Sequence, residues 1–137
     1  MRTRKIGPKE AAPAVELART LGLDYPGMDA DELWIAEEGG RIVGLVALKT
    51  HPDCRELCAL GVDPGSEGKG VGKGLVEALM AAAPGDVHLA TIIPGFFEMC
   101  GFERTADIPA TFRAKRKTDW CEGCPRERCT VMVRRTT

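Results

Sequence analysis

The chain is 137 residues long with a mass of 14.8 kDa; 44% of it is apolar, 28% is charged, and the formal net charge is −1. These values sit near globular averages and exclude a disordered, collagen-like or two-domain chain. The best apolar run, Ile42 to Leu48, falls far short of the ~18 residues of a membrane span, and the charged stretch Met1 to Glu10 lacks an apolar signal core. The expectation is a single domain over 1-137, cytoplasmic, with no membrane contact.

Thr3 to Ile6 reads as a first strand, stopped by Gly7-Pro8. From Pro8, Ala11, Ala14, Val15, Ala18 and Leu21 recur at helical spacing until Gly22 ends the run. Asp24 to Asp31 holds Pro26 and Gly27 and reads as loop. Leu33 to Ala36 and Arg41 to Lys49 flank Glu37-Glu38-Gly39-Gly40 and predict a hairpin. Glu56 to Val62 is apolar after its first residue, as in a strand buried on both faces. Gly65 to Gly74 carries five glycines in ten residues and opens onto a helix from Leu75 to Ala81, closed by Pro84-Gly85. Strand Asp86 to Thr91, short helix Pro94 to Cys100, and strands Phe102 to Thr105 and Cys129 to Arg134 complete the order, with a basic, Cys-bearing insert before the last strand. The order β-α-β-β-β-α-β-α-β-β predicts an α/β fold, a mixed sheet with helices on both faces.

Charge is uneven along the chain. Residues 103–137 carry nine Lys/Arg against five Asp/Glu, the first 102 ten against fifteen. A surplus of four with little aromatic interleaving is a weak footprint for nucleic acid, which is not expected as a partner. Six cysteines are about 4% of the chain, below the ~8–10% of a disulfide scaffold. Cys121, Cys124 and Cys129 approach metal-ligand spacing, yet a closed zinc site needs a fourth ligand, for which Cys54, Cys100 and His88 are the candidates. The reading is of reduced, packing thiols with no metal.

A strand entering a glycine-rich turn and then a helix is a phosphate-binding arrangement, because glycines let backbone amides approach an anion at the helix start. The Walker A spacing fails: Glu67 stands five positions before Gly72, and Gly74 replaces the Ser/Thr that would hold a metal. The dinucleotide fingerprint fails at Leu75, where it needs glycine. Val62-Asp63-Pro64 followed by Glu67-Gly68-Lys69-Gly70-Val71-Gly72-Lys73-Gly74-Leu75 instead resembles the acyl-CoA loop of the GNAT superfamily of N-acyltransferases. Pro94-Gly95-Phe96-Phe97-Glu98-Met99-Cys100-Gly101-Phe102-Glu103 resembles that family's short helix and its ending, so the resemblance spans about Gly61 to Glu103.

The resemblance implies a mostly antiparallel sheet with a splayed central strand pair, acetyl-CoA as co-substrate, and a small amine as acceptor. Carried over, Leu60, Gly61 and Val62 hold the pantetheine arm, and Gly68, Lys69, Gly70, Val71, Gly72, Lys73 and Gly74 form the pyrophosphate loop. Phe96 and Phe97 of the short helix join them in binding CoA. Glu67 departs from the family's Gln or Arg and must point outward, since a carboxylate repels a pyrophosphate. In several branches a glutamate at the position of Glu56 serves as base, usually through water; the alternative is a strand-end carboxylate paired with Arg55 or Arg41. Burial would raise the Glu56 pKa toward neutrality, and strict alternation along the strand would put Cys58 and Leu60 on the same face as Glu56. His51, before Pro52 in a loop, and His88, in the following strand, are weaker candidates for the base.

The family's common acid is a tyrosine where this chain has Phe97; the one tyrosine, Tyr25, lies in a distant loop, which leaves Thr91 or a water. The tail resembles that of compact bacterial members, some assigned as short N-acetylglutamate synthases and others accompanying arsenic resistance. There Arg113, Lys115, Arg116 and Lys117 would read two acceptor carboxylates, the alternative being a solvated basic face. Cys58 and Thr91 are the other candidate acceptor contacts. A homodimer is typical of the family. The competing function is a non-catalytic acyl-CoA or metal(loid) sensor built on the tail cysteines, and a third is a protein or peptide acetyltransferase.

Overall fold

The structure, a computed structural model, describes residues 1–83, 85–115 and 129–135. Among them the elements are β1 (Arg2–Ile6), α1 (Ala11–Thr20), β2 (Glu32–Glu38), β3 (Arg41–Thr50), β4 (Arg55–Val62), α2 (Val71–Ala82), β5 (Val87–Thr91), α3 (Pro94–Met99), β6 (Glu103–Arg104), α4 (Ala110–Lys115) and β7 (Thr130–Arg134). The strands form a mixed, mostly antiparallel sheet in the order β1-β2-β3-β4-β5-β7-β6. Two compact units divide the chain: Met1–Lys49 with Leu57–Ala83, and Thr50–Glu56 with Pro84–Thr137.

In the first unit, β1 and β3 flank β2 in antiparallel pairing, from Arg2↔Glu37 to Ile6↔Leu33 and from Glu32↔Leu48 to Glu38↔Arg41. Period-two alternation then decides which helix covers which face. Leu33, Ile35, Leu45 and Ala47 pack with Ala11, Ala14 and Ala18 of α1. On the opposite face Gly44 meets α2: a Cβ there would stand 2.9 Å from Val71 Cγ1 and 3.0 Å from Leu75 Cδ1. The buried face of α1 is alanine, which lets the helix lie close to the sheet. The face of α2 is Val71, Leu75, Val76 and Leu79, each such side chain contributing roughly 1.5–3 kcal/mol by its burial. The expected helices on both faces are therefore present within this unit.

In the second unit, β7 pairs antiparallel with β5 from Val87↔Arg134 to Thr91↔Thr130 and with β6 at Glu103↔Val133. β5 alternates buried Val87, Leu89 and Thr91 with more exposed His88 and Ala90, the period of a strand. Phe97 of α3 packs edge-on against Phe96 and Phe102, at centroid distances of 5.0 and 5.8 Å. Glu56, near the start of β4, pairs in parallel with His88 of β5.

The structure differs from the sequence reading at the start of α2 and in an added helix, α4, besides shifts of one to two residues at strand ends. α2 begins at Val71 rather than Leu75, because Gly70 caps it in the left-handed region (φ +78°) and Val71 and Leu75, one turn apart, both seat on Gly44. α4 occupies part of what reads as insert. Its start follows Pro109 and its first turn is held by Asp53, which accepts from the Thr111 amide at 3.1 Å and from the Thr111 hydroxyl.

Candidate active site

The loop from β4 to α2 is built from local backbone rules. Asp63 accepts from the Gly65 amide at 3.2 Å and pairs with Arg41, contacts that hold its carboxyl below the usual carboxylate range. The Asp63 amide donates to Val43 O at 2.8 Å, tying the end of β4 to β3. Gly68 and Gly70 both adopt positive φ (+79° and +78°), with nothing within 4 Å of where a Cβ would stand. The backbone is thus bare and accessible where the first amides of α2, which have no intrahelical acceptors, emerge. Glu67 is exposed. Lys69 is exposed too, and its ammonium lies 3.5 Å from Glu38. Gly72, Lys73 and Gly74 sit in the first turn of α2.

The end of β4 corrects one expectation. Ala59 has φ +56°, a left-handed conformation that breaks strand alternation. Cys58 and Ala59 both pack toward the α1 core, and a Cβ on Gly61 would meet Leu23 Cδ1 at 2.4 Å and Leu21 Cδ1 at 2.9 Å. Cys58 and Gly61 therefore share a face, and Leu60 turns to the opposite one. The close approach of Leu23 is also why residue 61 is glycine. Leu60, Gly61 and Val62 are all half-buried.

Glu56 is buried, 7% exposed, and its Oε1 lies 2.8 Å from His51 Nε2. A histidine thus meets its carboxylate; Arg41 is engaged by Asp63. The turn after β3, closed by the His51 amide on Cys54 O at 2.8 Å, folds the His51 ring back onto Glu56. Spacing alone does not reveal that turn. His88, the cross-strand neighbour of Glu56, has a buried Nδ1 with no hydrogen-bond partner among the described residues. Burial pushes its pKa down, and the Phe112 ring packs 6.2 Å away.

Tyr25 is not remote from β4. Its hydroxyl donates to Asp31 at 2.6 Å and lies 3.5 Å from Cys58 Sγ, while Lys49 caps its ring at 5.3 Å. Thr91 is buried and its hydroxyl accepts from the Ile93 amide at 2.9 Å. Phe96 is half-buried and Phe97 is buried in the aromatic cluster of α3. Arg113 is exposed on α4, and Lys115 is the last residue of that helix. Arg116, Lys117, Cys121 and Cys124 lie outside the described residues. Among those described, no group of three or more His, Cys, Asp or Glu is placed to hold a metal ion, and no helix is long and apolar enough to cross a membrane.

The chain belongs to the acetyltransferase (GNAT) family, whose model matches residues 8–102. Its fold is similar to that of N-acetylglutamate synthase from Neisseria gonorrhoeae, solved with coenzyme A and N-acetyl-glutamate (TM-score 0.78, 20% identity), over 100% of this chain and 36% of that one. It is also similar to a Mycobacterium tuberculosis protein solved with CoA and a second ligand (TM-score 0.73, 18% identity), over 100% of both chains. In sequence it is 41% identical over 49 residues to mycothiol acetyltransferase of Thermomonospora curvata, a match covering 35% of this chain and 16% of that protein. The chain thus spans about a third of the synthase and the match only about a sixth of the mycothiol enzyme.

Proposed function

We propose that the chain, working as one catalytic domain, moves an acetyl group from acetyl-CoA to a primary amine of a small molecule, with the α-amino group of glutamate as the first acceptor to test. The observation that carries the reading is the paired left-handed geometry of Gly68 and Gly70, open above and leading into α2. A family match running through both compact units supports a single working domain. Residues 68–74 would hold the pyrophosphate through backbone amides, and Leu60 to Val62 would present backbone groups to the pantetheine. Phe96 and Phe97 would line the CoA side, and Cys58, Thr91, Arg113 and Lys115 the acceptor side.

Acetyl-CoA, when bound, supplies an acetyl group activated as a thioester. An amine attacks only after losing its ammonium proton, and Glu56 is the group assigned to take it, directly or through a water. A buried carboxylate is suited to this because the proton transfer is not screened by bulk solvent. Phe97 has no proton to give to the departing thiolate, so no side-chain acid is assigned. The likeness to N-acetylglutamate synthase supports glutamate as an acceptor to try.

The test is acetyl-CoA turnover followed by thiol release, with glutamate, aspartate, arsenical amino acids and a peptide panel as acceptors. Acceptor-dependent release with a small amine supports the reading. Tight CoA binding without turnover on any amine would replace it with a sensor, and turnover on peptides alone with a protein acetyltransferase.

A further inference from the structure

We infer that His51 is a positioning residue for Glu56, its ring nitrogen holding the carboxylate in one orientation; the inference rests on the reading of Glu56 as the base. The two side chains are 2.8 Å apart and only 11% and 9% exposed. A buried carboxylate is held by the hydrogen bonds it accepts. The ring in its Nε2–H tautomer donates to Oε1 and fixes the direction in which the carboxylate faces.

The surroundings fix the ring in place. His51 directly follows β3 and opens a turn closed by its own amide on Cys54 O. The same turn is fastened from the other side by Asp53, which accepts from the amide and hydroxyl of Thr111 on α4. The turn therefore cannot swing away without also uncapping α4. The titratable groups around the pair are Asp53 and Cys54 of the turn and His88 of β5 beside Glu56. Asp86, Asp107 and Arg135 act on His88 through charge, and α4 contributes Phe112, which is uncharged. His51 is the group of this set that meets the Glu56 carboxylate in the 2.8 Å contact.

The test compares kcat, the acceptor KM and CoA affinity in the full chain. His51→Phe removes this contact, so kcat should fall about tenfold with the acceptor KM little changed. His51→Gln keeps a donor and should restore most of that loss. CoA affinity, assigned to residues 68–74, should stay constant in both. An unchanged kcat in His51→Phe overturns the inference, and so does a His51→Gln variant as inactive as Glu56→Gln, which would make His51 the proton acceptor itself. Should His51→Phe not fold, His51→Asn decides: its shorter side chain does not reach Oε1, and full kcat in that variant overturns the inference. Full turnover in Glu56→Gln with its limb intact instead removes Glu56 as base, a failure read separately from the His51 results.

Discussion

The Tyr25 hydroxyl donates to Asp31 Oδ2 at 2.6 Å and stands 3.5 Å from Cys58 Sγ, which fastens the loop after α1 to the middle of β4. Burial pushes the Tyr25 pKa up, so the hydroxyl is a neutral donor at any working pH. Tyr25→Phe leaves the Asp31 carboxylate with Lys49 at 3.5 Å and should cost about 1–3 kcal/mol, read from urea unfolding. An unchanged unfolding midpoint refutes that contact.

Gly70→Val and Gly72→Val should abolish measurable CoA binding by calorimetry. The first forces a β-branched residue into a φ of +78°, and each adds a Cβ beside the amides assigned to the pyrophosphate. Lys69→Ala should cost under about 1 kcal/mol of affinity, as expected of an exposed cation. Glycine variants that bind CoA as the parent does would remove residues 68–74 from the binding site.

Gly44→Ala tests the same loop from beneath. The new methyl meets Val71 Cγ1, Leu75 Cδ1 and the backbone oxygen of Gly61, the last at 3.2 Å, with no flexible route away. Stability should fall by about 1–3 kcal/mol, and CoA affinity should fall with it because the first turn of α2 is displaced. Loss of stability with CoA affinity preserved would show that this turn does not position the loop.

For Glu56→Gln, kcat should fall about 10²–10⁴-fold with CoA affinity nearly unchanged, since the amide keeps the shape but accepts no proton. The acidic limb seen in the parent should vanish. Thiol-release kinetics across pH, with calorimetry of CoA, give both numbers.

His88 predicts a pH dependence of stability. Its native pKa lies below its unfolded value, so between the two the unfolded chain binds a proton that the native chain does not. Stability should therefore be full above about pH 6.5 and decline as pH falls through that window. In His88→Leu the decline attributable to this group should disappear, since no buried Nδ1 remains to be charged. Parallel thermal melts of parent and variant check this, and parallel curves that never diverge would overturn it.

The order of strands and the first three helices were legible because each rests on local signals. Gly39-Gly40 turns the hairpin, Pro94 and Gly101 bracket α3, and the alternating glycines at 68 and 70 announce left-handed backbone before a helix. The left-handed glycines of the loop were legible for the same reason. What sequence did not yield depends on contacts between distant segments. An alanine at 59 carries no mark of positive φ, yet its conformation moves Leu60 off the face of Cys58. His51 reaches Glu56 only because a four-residue turn reverses the chain, and Tyr25 reaches Cys58 only because the loop after α1 packs back. The early start of α2 differs likewise: it is decided by Val71 meeting Gly44 across the sheet.

The tight fit at Gly61 has an evolutionary consequence. A Cβ there would overlap Leu23 and crowd Leu21, so the end of β4 and the segment that follows α1 are not free to drift independently. Relatives that carry a side chain at the position of Gly61 should carry smaller residues at the positions of Leu21 or Leu23, a covariation between segments nearly forty residues apart. Any exchange of the loop after α1 between family members, whether by recombination or by engineering, must then bring its own β4 with it.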